Sequence, residues 1–327
     1  MKVNTVLGSL DTKDMGYTLM HEHIMIANHT MRRMWADWIN IDEFTAFAKR
    51  YIARGKRAGV RTIVDVTPFQ LGRDVSVLQR VSEEAEINII AATGYFWGNE
   101  ICLVDKSPEF LAEILLRDLE KGMEGTPVKA GIIKCGTSQD HMSKLDETIW
   151  EATVIAHKET NAPIITHSAC KAGAESQMKF LTERGVDPGR VIIGHIGDLD
   201  DPDFLASVAD RGFYVGEDRI GVDKRHPEQL DTKERIKNII ELKHRGKLEQ
   251  IVCAHDASIF IDYWEGKENL GCPWKMVREF DIEKLEFQFA FITERVLPEL
   301  KAAGFSEFDI KTMLVDTPRR IFEGKAR

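Results

Sequence analysis

Eight short apolar runs, rich in β-branched residues, recur along the chain, and each ends in a polar or glycine-bearing tail. They cover Tyr17–Ile26, Val60–Pro68, Asn88–Phe96, Lys129–Gly136, Ala162–Ser168, Arg190–Gly197, Gly212–Asp218 and Gln250–Asp256. A strand covered on both faces has no polar side to show, so runs of this kind read as buried parallel strands. Between them lie segments of helical period. Phe44, Phe47, Ala48, Tyr51 and Ile52 share one face, and Leu111, Ile114, Leu115 and Leu119 form another stripe. Ser107 before Pro108 and Asp201 before Pro202 set a capping side chain ahead of a proline, which marks a helix start.

Strand–helix alternation with about eight strands predicts an α/β fold, a (β/α)8 TIM barrel. No linker, low-complexity tract or long charge block interrupts it, so residues 1–327 are expected to form a single domain. The stretch after Asp256, through Cys272 and Trp274, lacks clear periodicity and would be the final loop at the catalytic end of such a barrel.

With 43% hydrophobic and 30% charged residues, a chain of 327 residues can bury a large core without cross-links. The formal net charge of −9 disfavours nucleic acid or an anionic membrane as partner and leaves a small-molecule substrate. The five cysteines are odd in number and include no Cys-x-x-Cys pair, so they read as reduced thiols. Met1–Gly16 has no signal-peptide run, and no later run reaches spanning length. A cytoplasmic protein is expected.

The strand tails carry the chemistry. His21 and His23 lie two apart at the end of the first strand, so both imidazoles leave the same face. In isolation the pair reads better as two hydrogen-bonded core histidines. However, His167 ends the fifth strand, His195 the sixth and Asp256 the eighth, and these tails meet on one rim of a barrel. Imidazole with carboxylate suits zinc, iron, cobalt or manganese rather than calcium. Lys134 ends the apolar run Ala130–Ile133, where an unpaired ammonium would be desolvated. Burial favours the neutral amine, which can take up carbon dioxide as a carbamate and so become an anion able to bridge two metals. The plainer alternative is a lysine paired with Asp256 or another acid.

The set Met20-His21-Glu22-His23, Gly131-Ile132-Ile133-Lys134, Thr166-His167-Ser168, Gly194-His195-Ile196-Gly197-Asp198 and His255-Asp256 resembles the phosphotriesterase family of the amidohydrolase superfamily over nearly the whole chain. The resemblance implies a hydrolase with two divalent ions per chain, zinc preferred over iron, cobalt or manganese. His21, His23 and Asp256 would hold one ion, and His167 and His195 the other. Lys134, as N6-carboxylysine, would bridge both together with a hydroxide. It also implies a homodimer as the common assembly.

Gly216-Glu217-Asp218-Arg219 resembles the lactonase-like branch, in which arginine follows the aspartate. Two departures stand out: Glu217 replaces the usual leucine, and the branch's tyrosine position holds Phe96, with Tyr95 one place early. The implied activity is hydrolysis of lactones, N-acyl homoserine lactones among them, with promiscuous phosphotriesterase activity. In it the bridging hydroxide attacks and Asp256 passes the proton to the leaving alkoxide. Asp218 and Arg219 would position Asp256 or the substrate. Tyr95, Phe96, Trp97, Arg219, Tyr263 and Trp264 are candidates to line the pocket. His29, His141, His157, His226 and His244 are expected at the solvent-exposed surface, and His255 behind the site.

Three alternatives remain: a phosphotriesterase or carboxylesterase as the main activity, a mononuclear deaminase-type barrel in which Lys134 is dispensable, and a barrel retained as a binding scaffold.

Overall fold

The structure is a computed structural model that describes residues 1–96, 101–137, 140–168, 170–223, 229–263 and 288–324. A hairpin of β1 (Lys2–Thr5) and β2 (Gly8–Asp11) precedes the barrel. The barrel strands are β3 (Tyr17–Ile26), β4 (Val60–Asp65), β5 (Asn88–Tyr95), β6 (Ile132–Thr137), β7 (Ile164–Ser168), β8 (Val191–Ile193), β9 (Tyr214–Glu217), β10 (Ile251–Cys253) and β11 (Ser258–Ile261). All nine pair in parallel, in the order β10-β9-β8-β7-β6-β5-β4-β3-β11. β10 and β11 are successive parts of one extended run. Its first part pairs with β9 and its second with β3, which curls the sheet round on itself. The result is the α/β TIM-barrel fold.

The helices α1 (His29–Met34), α2 (Ile41–Arg57), α3 (Val75–Ala85), α4 (Pro108–Glu120), α5 (Lys144–Thr160), α6 (Lys171–Glu183), α7 (Pro202–Asp210) and α8 (Thr232–His244) alternate with the strands. The expected caps are in place. Ser107 accepts from the Phe110 N–H and Asp201 from the Phe204 N–H, each with proline in the first turn. Among the described residues, no helix is long and apolar enough to cross a membrane.

Strand alternation divides the apolar residues between two cores. Met20, Val64, Ile90, Ile132, Ile165, Ile192, Tyr214 and Val252, one from each strand from β3 to β10, pack together inside the barrel. Their neighbours Leu19, Ile63, Ile89, Ile133, Ile164, Ile193, Val215 and Ile251 point outward and pack with Phe44, Phe47, Leu111 and Leu115 of the helices. The α2 face is buried as expected, but Ile114 is not part of the α4 face. It lies solvent-exposed, one step round the helix from Leu111 and Leu115.

The hairpin had no counterpart in the reading of Met1–Gly16. It covers the end of the barrel where strands begin, with the Asn4 amide bonded to Ala130 O at 3.1 Å and Val6 N–H to Ile89 O at 2.9 Å. Thr12 Oγ1 donates to Glu323 Oε1 at 2.8 Å and ties the hairpin to the C-terminal helix. β8 is also shorter than the run Arg190–Gly197. It stops at Ile193, and His195 and Asp198 lie in the turn beyond it.

Ile192 is fully buried in the inner core. Ile192→Ala should lower the unfolding free energy by about 2–5 kcal/mol, the usual cost of an interior cavity, as read from denaturant unfolding at unchanged m-value.

Candidate metal centre

A β-bulge in β3 sets the aim of its two histidines. Leu19 lies opposite Ile63 and Glu22 opposite Asp65, so β3 carries one residue more than β4 across that interval. An extra residue reverses the alternation of side chains. Met20 therefore packs into the inner core while its neighbour His21 also turns inward, with Nε2 3.0 Å from Lys134 Nζ. His21 Nε2 lies 3.5 Å from Asp256 Oδ1, and His23 Nε2 lies 3.3 Å from the same oxygen. His195 Nε2 is 4.0 Å from Asp256 Oδ2, and the His167 ring stands 4.6 Å from the His195 ring, centroid to centroid. The barrel thus brings together all six side chains read from the strand tails.

Two of them leave on left-handed backbone: His195 has φ 65° and Asp256 has φ 53°. Non-glycine residues rarely adopt such angles, and they concentrate where surrounding structure over-determines a functional geometry. Gly194 makes the approach of β8 to β7 possible, since a Cβ there would lie 2.1 Å from Thr166 O.

The Nδ1 atoms of His21, His23 and His195, which face away from the centre, are engaged. Asp218 Oδ2 accepts from His21 Nδ1 at 2.7 Å, and Asp218 Oδ1 accepts from His195 Nδ1 at 3.0 Å and from the His195 N–H at 2.9 Å. His23 Nδ1 lies 2.8 Å from Thr67 Oγ1. Such bonds fix the tautomer and leave an Nε2 lone pair for a metal. Burial, reinforced by Lys134, pushes the His21 pKa down to about 3 against the pull of Asp218. Burial, His195 and Arg219 hold His167 well below its ordinary value, and burial with Arg219 lowers His195. Neutral imidazole is the form that binds metal.

Burial also favours ionising less, yet Asp256 titrates well below the usual carboxylate range because His195, Arg219 and His21 face it. The ligand atoms of His21, His23 and Asp256 lie within 4.8 Å of one another. His21, His195 and Asp218 form a second cluster of that size, but both Asp218 oxygens are occupied by imidazole nitrogens. Asp218 holds the rings in place through these bonds. Arg219 is bonded to Asp256, with Nε 2.9 Å from Oδ2. Arg219 also donates to Asp198 Oδ2 at 3.1 Å, and Asp198 Oδ1 accepts from Arg235 Nε at 2.9 Å and Nη2 at 2.5 Å. Nothing in the spacing of Asp198 and Arg235 announced this chain of charges.

Lys134 is buried and forms no ion pair among the described residues. Its Nζ lies against His21 Nε2 and, at 3.3 Å, Thr166 O. Burial brings its pKa down to about 8, against the attraction of Asp256 and Asp218. With its ammonium form disfavoured by burial and the His21 Nε2 lone pair beside it, this lysine fits the edge of a metal centre.

The pocket candidates separate. Phe96 sets its ring 4.9 Å from that of His167 and packs with Ile26, Leu71 and Ile261 at the rim. Tyr263 is partly exposed and donates through Oη to Gln70 O at 2.8 Å. Tyr95 instead turns outward, buried, with Oη donating to Leu111 O of α4 at 2.9 Å, because the alternation of β5 assigns it to the helix layer. Trp97 and Trp264 lie outside the described residues, as do His226, Cys272 and Trp274. His29, His141 and His244 are exposed, but His157 is buried on α5, where Nδ1 meets Ala162 O at 2.8 Å across the helix end. Glu217 also faces outward. Burial, partly offset by Arg235, pushes its carboxyl well above the usual range, and neither oxygen has a hydrogen-bond partner.

A parallel barrel that gathers imidazoles, a carboxylate and a buried lysine at the C-terminal ends of its strands defines a metal-dependent hydrolase acting on small molecules. Comparison with known proteins supplies the family. The phosphotriesterase family profile matches residues 1–322. A phosphotriesterase homology protein of Mycobacterium tuberculosis is 35% identical over 98% of both chains. An aryldialkylphosphatase of Saccharolobus solfataricus is 33% identical over 96% of this chain and 97% of its own. A phosphotriesterase homology protein of Escherichia coli is 29% identical over 94% and 98%. The chain belongs to the phosphotriesterase family, whose members use a divalent metal centre.

Asp218→Asn keeps the size of the side chain but replaces one acceptor oxygen with a donor. Chelator competition should show metal affinity falling about 10–100-fold with the far-UV circular dichroism unchanged.

Proposed function

We propose that this chain is a lactonase with promiscuous phosphotriesterase activity, built on a pair of divalent ions, zinc by preference. His21, His23 and Asp256 would hold one ion, His167 and His195 the other, and carbamylated Lys134 would serve both. The observation that carries the two-ion reading is the buried Lys134 amine, 3.0 Å from His21 Nε2 and without an ion-pair partner among the described residues. Loss of one proton gives the neutral amine, which adds to the carbon of carbon dioxide and releases a second proton, so that a desolvated cation would become an anion between the two ligand sets. When bound, the metals lower the pKa of water toward neutrality and polarise the substrate's carbonyl or phosphoryl oxygen.

The chain's own groups do the rest. Asp256 stays ionised at neutral pH, so one oxygen can accept a proton from the attacking water and pass it to the departing alkoxide. Arg219 holds the other oxygen at 2.9 Å and keeps the carboxylate aimed into the mouth. The rim cluster of Ile26, Leu71, Phe96 and Ile261 offers apolar surface beside His167, which suits an acyl chain. The arginine after Asp218 supports the lactonase branch. A second reading, a phosphotriesterase as the main activity, is favoured by the similarity to the aryldialkylphosphatase.

Protein supplied with bicarbonate and zinc, manganese or cobalt should bind about two ions per chain and open lactones of graded acyl length, with slower turnover of a phosphotriester. Phosphotriester or aryl-ester turnover without lactone opening would select the second reading. Lys134→Ala should retain at most one tightly held ion and lose activity by several orders of magnitude; full activity with a single ion would return the mononuclear reading. Because the amine is charged below about 8 and neutral above it, metal-free protein should regain activity with metal and bicarbonate several-fold faster at about pH 8.5 than at about pH 6.5.

A further inference from the structure

Asp256 reaches the metal centre from the gap between β10 and β11, on a left-handed backbone that is uncommon for a residue other than glycine. Three consecutive residues of β3 hold it there. His21 O accepts from the Asp256 N–H at 3.0 Å, and the His23 N–H donates to Ala257 O at 2.8 Å. Between them Glu22, pointing to the opposite face from its two neighbours, spans the turn with one carboxylate. Its Oε1 accepts from the His255 N–H at 3.0 Å and from His255 Nδ1 at 2.6 Å, and its Oε2 accepts from the Ala257 N–H at 2.9 Å. The His255 ring is held in turn, since its Nε2 accepts from the Ile292 N–H at 3.3 Å. Both N–H groups that flank Asp256 therefore end on the two oxygens of a single, fully buried side chain.

We propose that Glu22 is a positioning residue for Asp256. By bracketing the two amides on either side, it holds the left-handed turn that aims the Asp256 carboxylate at His21 and His23, and so completes one of the two ion sites. This rests on the two-ion reading above. A charged carboxylate accepting backbone N–H bonds is among the stronger neutral-to-ionic hydrogen bonds, and removing it would leave two buried donors unpaired. Without the bracket Asp256 would relax to a commoner backbone angle and draw its oxygens away from the imidazoles. The residue sits between the two histidines in sequence because the same β3 segment must both supply ligands and close the barrel against the last strand.

The test uses cobalt, whose visible absorption reports each site. Wild-type protein, stripped of metal and reloaded with cobalt and bicarbonate, should take up about two ions, whereas Glu22→Gln should hold one tightly and the other at least ~10-fold more weakly, with an altered spectrum. A glutamine presents an NH2 donor to an N–H donor and cannot bracket both amides. His255→Ala, which leaves both backbone amides to Glu22, should keep two ions. Thr62→Val, which removes a buried bond to Met15 O at the far end of the barrel, should lower stability without altering cobalt uptake, and so controls for destabilisation alone. If Glu22→Gln does not fold, amide exchange on metal-free wild type decides. The His255 and Ala257 amides should exchange as slowly as those within β3, and fast exchange there overturns the assignment. Two tightly bound cobalt ions in Glu22→Gln also overturn it while leaving the metal centre intact. Wild type that takes up no cobalt overturns the reading beneath it.

Discussion

Asp218 accepts from His21 through one oxygen and from His195 through the other, at the mouth of a barrel that shuts out water. The rest of the site follows from that pair of bonds. Burial by itself would raise the Asp218 pKa, but His195 and His21 hold it well below the usual carboxylate range. The fixed negative charge draws the Nδ1 protons of two rings toward itself and turns two Nε2 lone pairs the other way. Lys134, Asp256 and Arg219 then occupy a space whose charges must balance locally, because little solvent is available to screen them. Arg219 neutralises Asp256, Asp198 steadies Arg219, and Arg235 steadies Asp198 from α8.

The barrel reaches this geometry by breaking its own regularity in three places. A perfectly alternating β3 could not place Met20 in the inner core and His21 at the mouth; the bulge between Leu19 and Glu22 does. A regular β8 would send His195 to the opposite face from Gly194, and its left-handed φ brings the ring back over the centre. The eighth strand is interrupted so that Asp256 can turn, with Glu22 bridging the interruption. Each departure costs backbone strain or a lost ladder bond, and each lies at a residue whose side chain enters the site. The strain stays where packing from both cores can hold it.

Much of this was legible beforehand for identifiable reasons. Apolar runs with polar tails locate parallel strands because a strand buried on both faces must be apolar until it emerges, so His21, His23, Lys134, His167, His195 and Asp256 could be assigned to one rim. The α2 face and the caps at Ser107 and Asp201 follow from local periodicity and local hydrogen bonding. Tyr95 was misread because membership of the rim does not say which side of a strand a residue takes. Its alternation with Lys134-facing Gly94 sends it to α4. His157 was misread because a polar residue near a helix end looks exposed until the chain returns to cover it with Ala162. Asp218 was expected to position Asp256 or the substrate; its bonds to His21 and His195 were not foreseen, because those partners lie on strands far away in sequence.

The order of strands, the class of barrel and the identity of the chemical groups at its mouth were determined by the sequence alone, because each depends on residue type and short-range period. Tertiary structure decided which nitrogen of each histidine faces the centre, which carboxylate holds rings and which faces the substrate, and how Asp256 is kept in an unfavourable turn. Those outcomes depend on bonds between residues such as Glu22 and Ala257, 235 positions apart, and on a bulge whose position is set by packing against β4. No local pattern encodes them, since the partners meet only once the barrel closes.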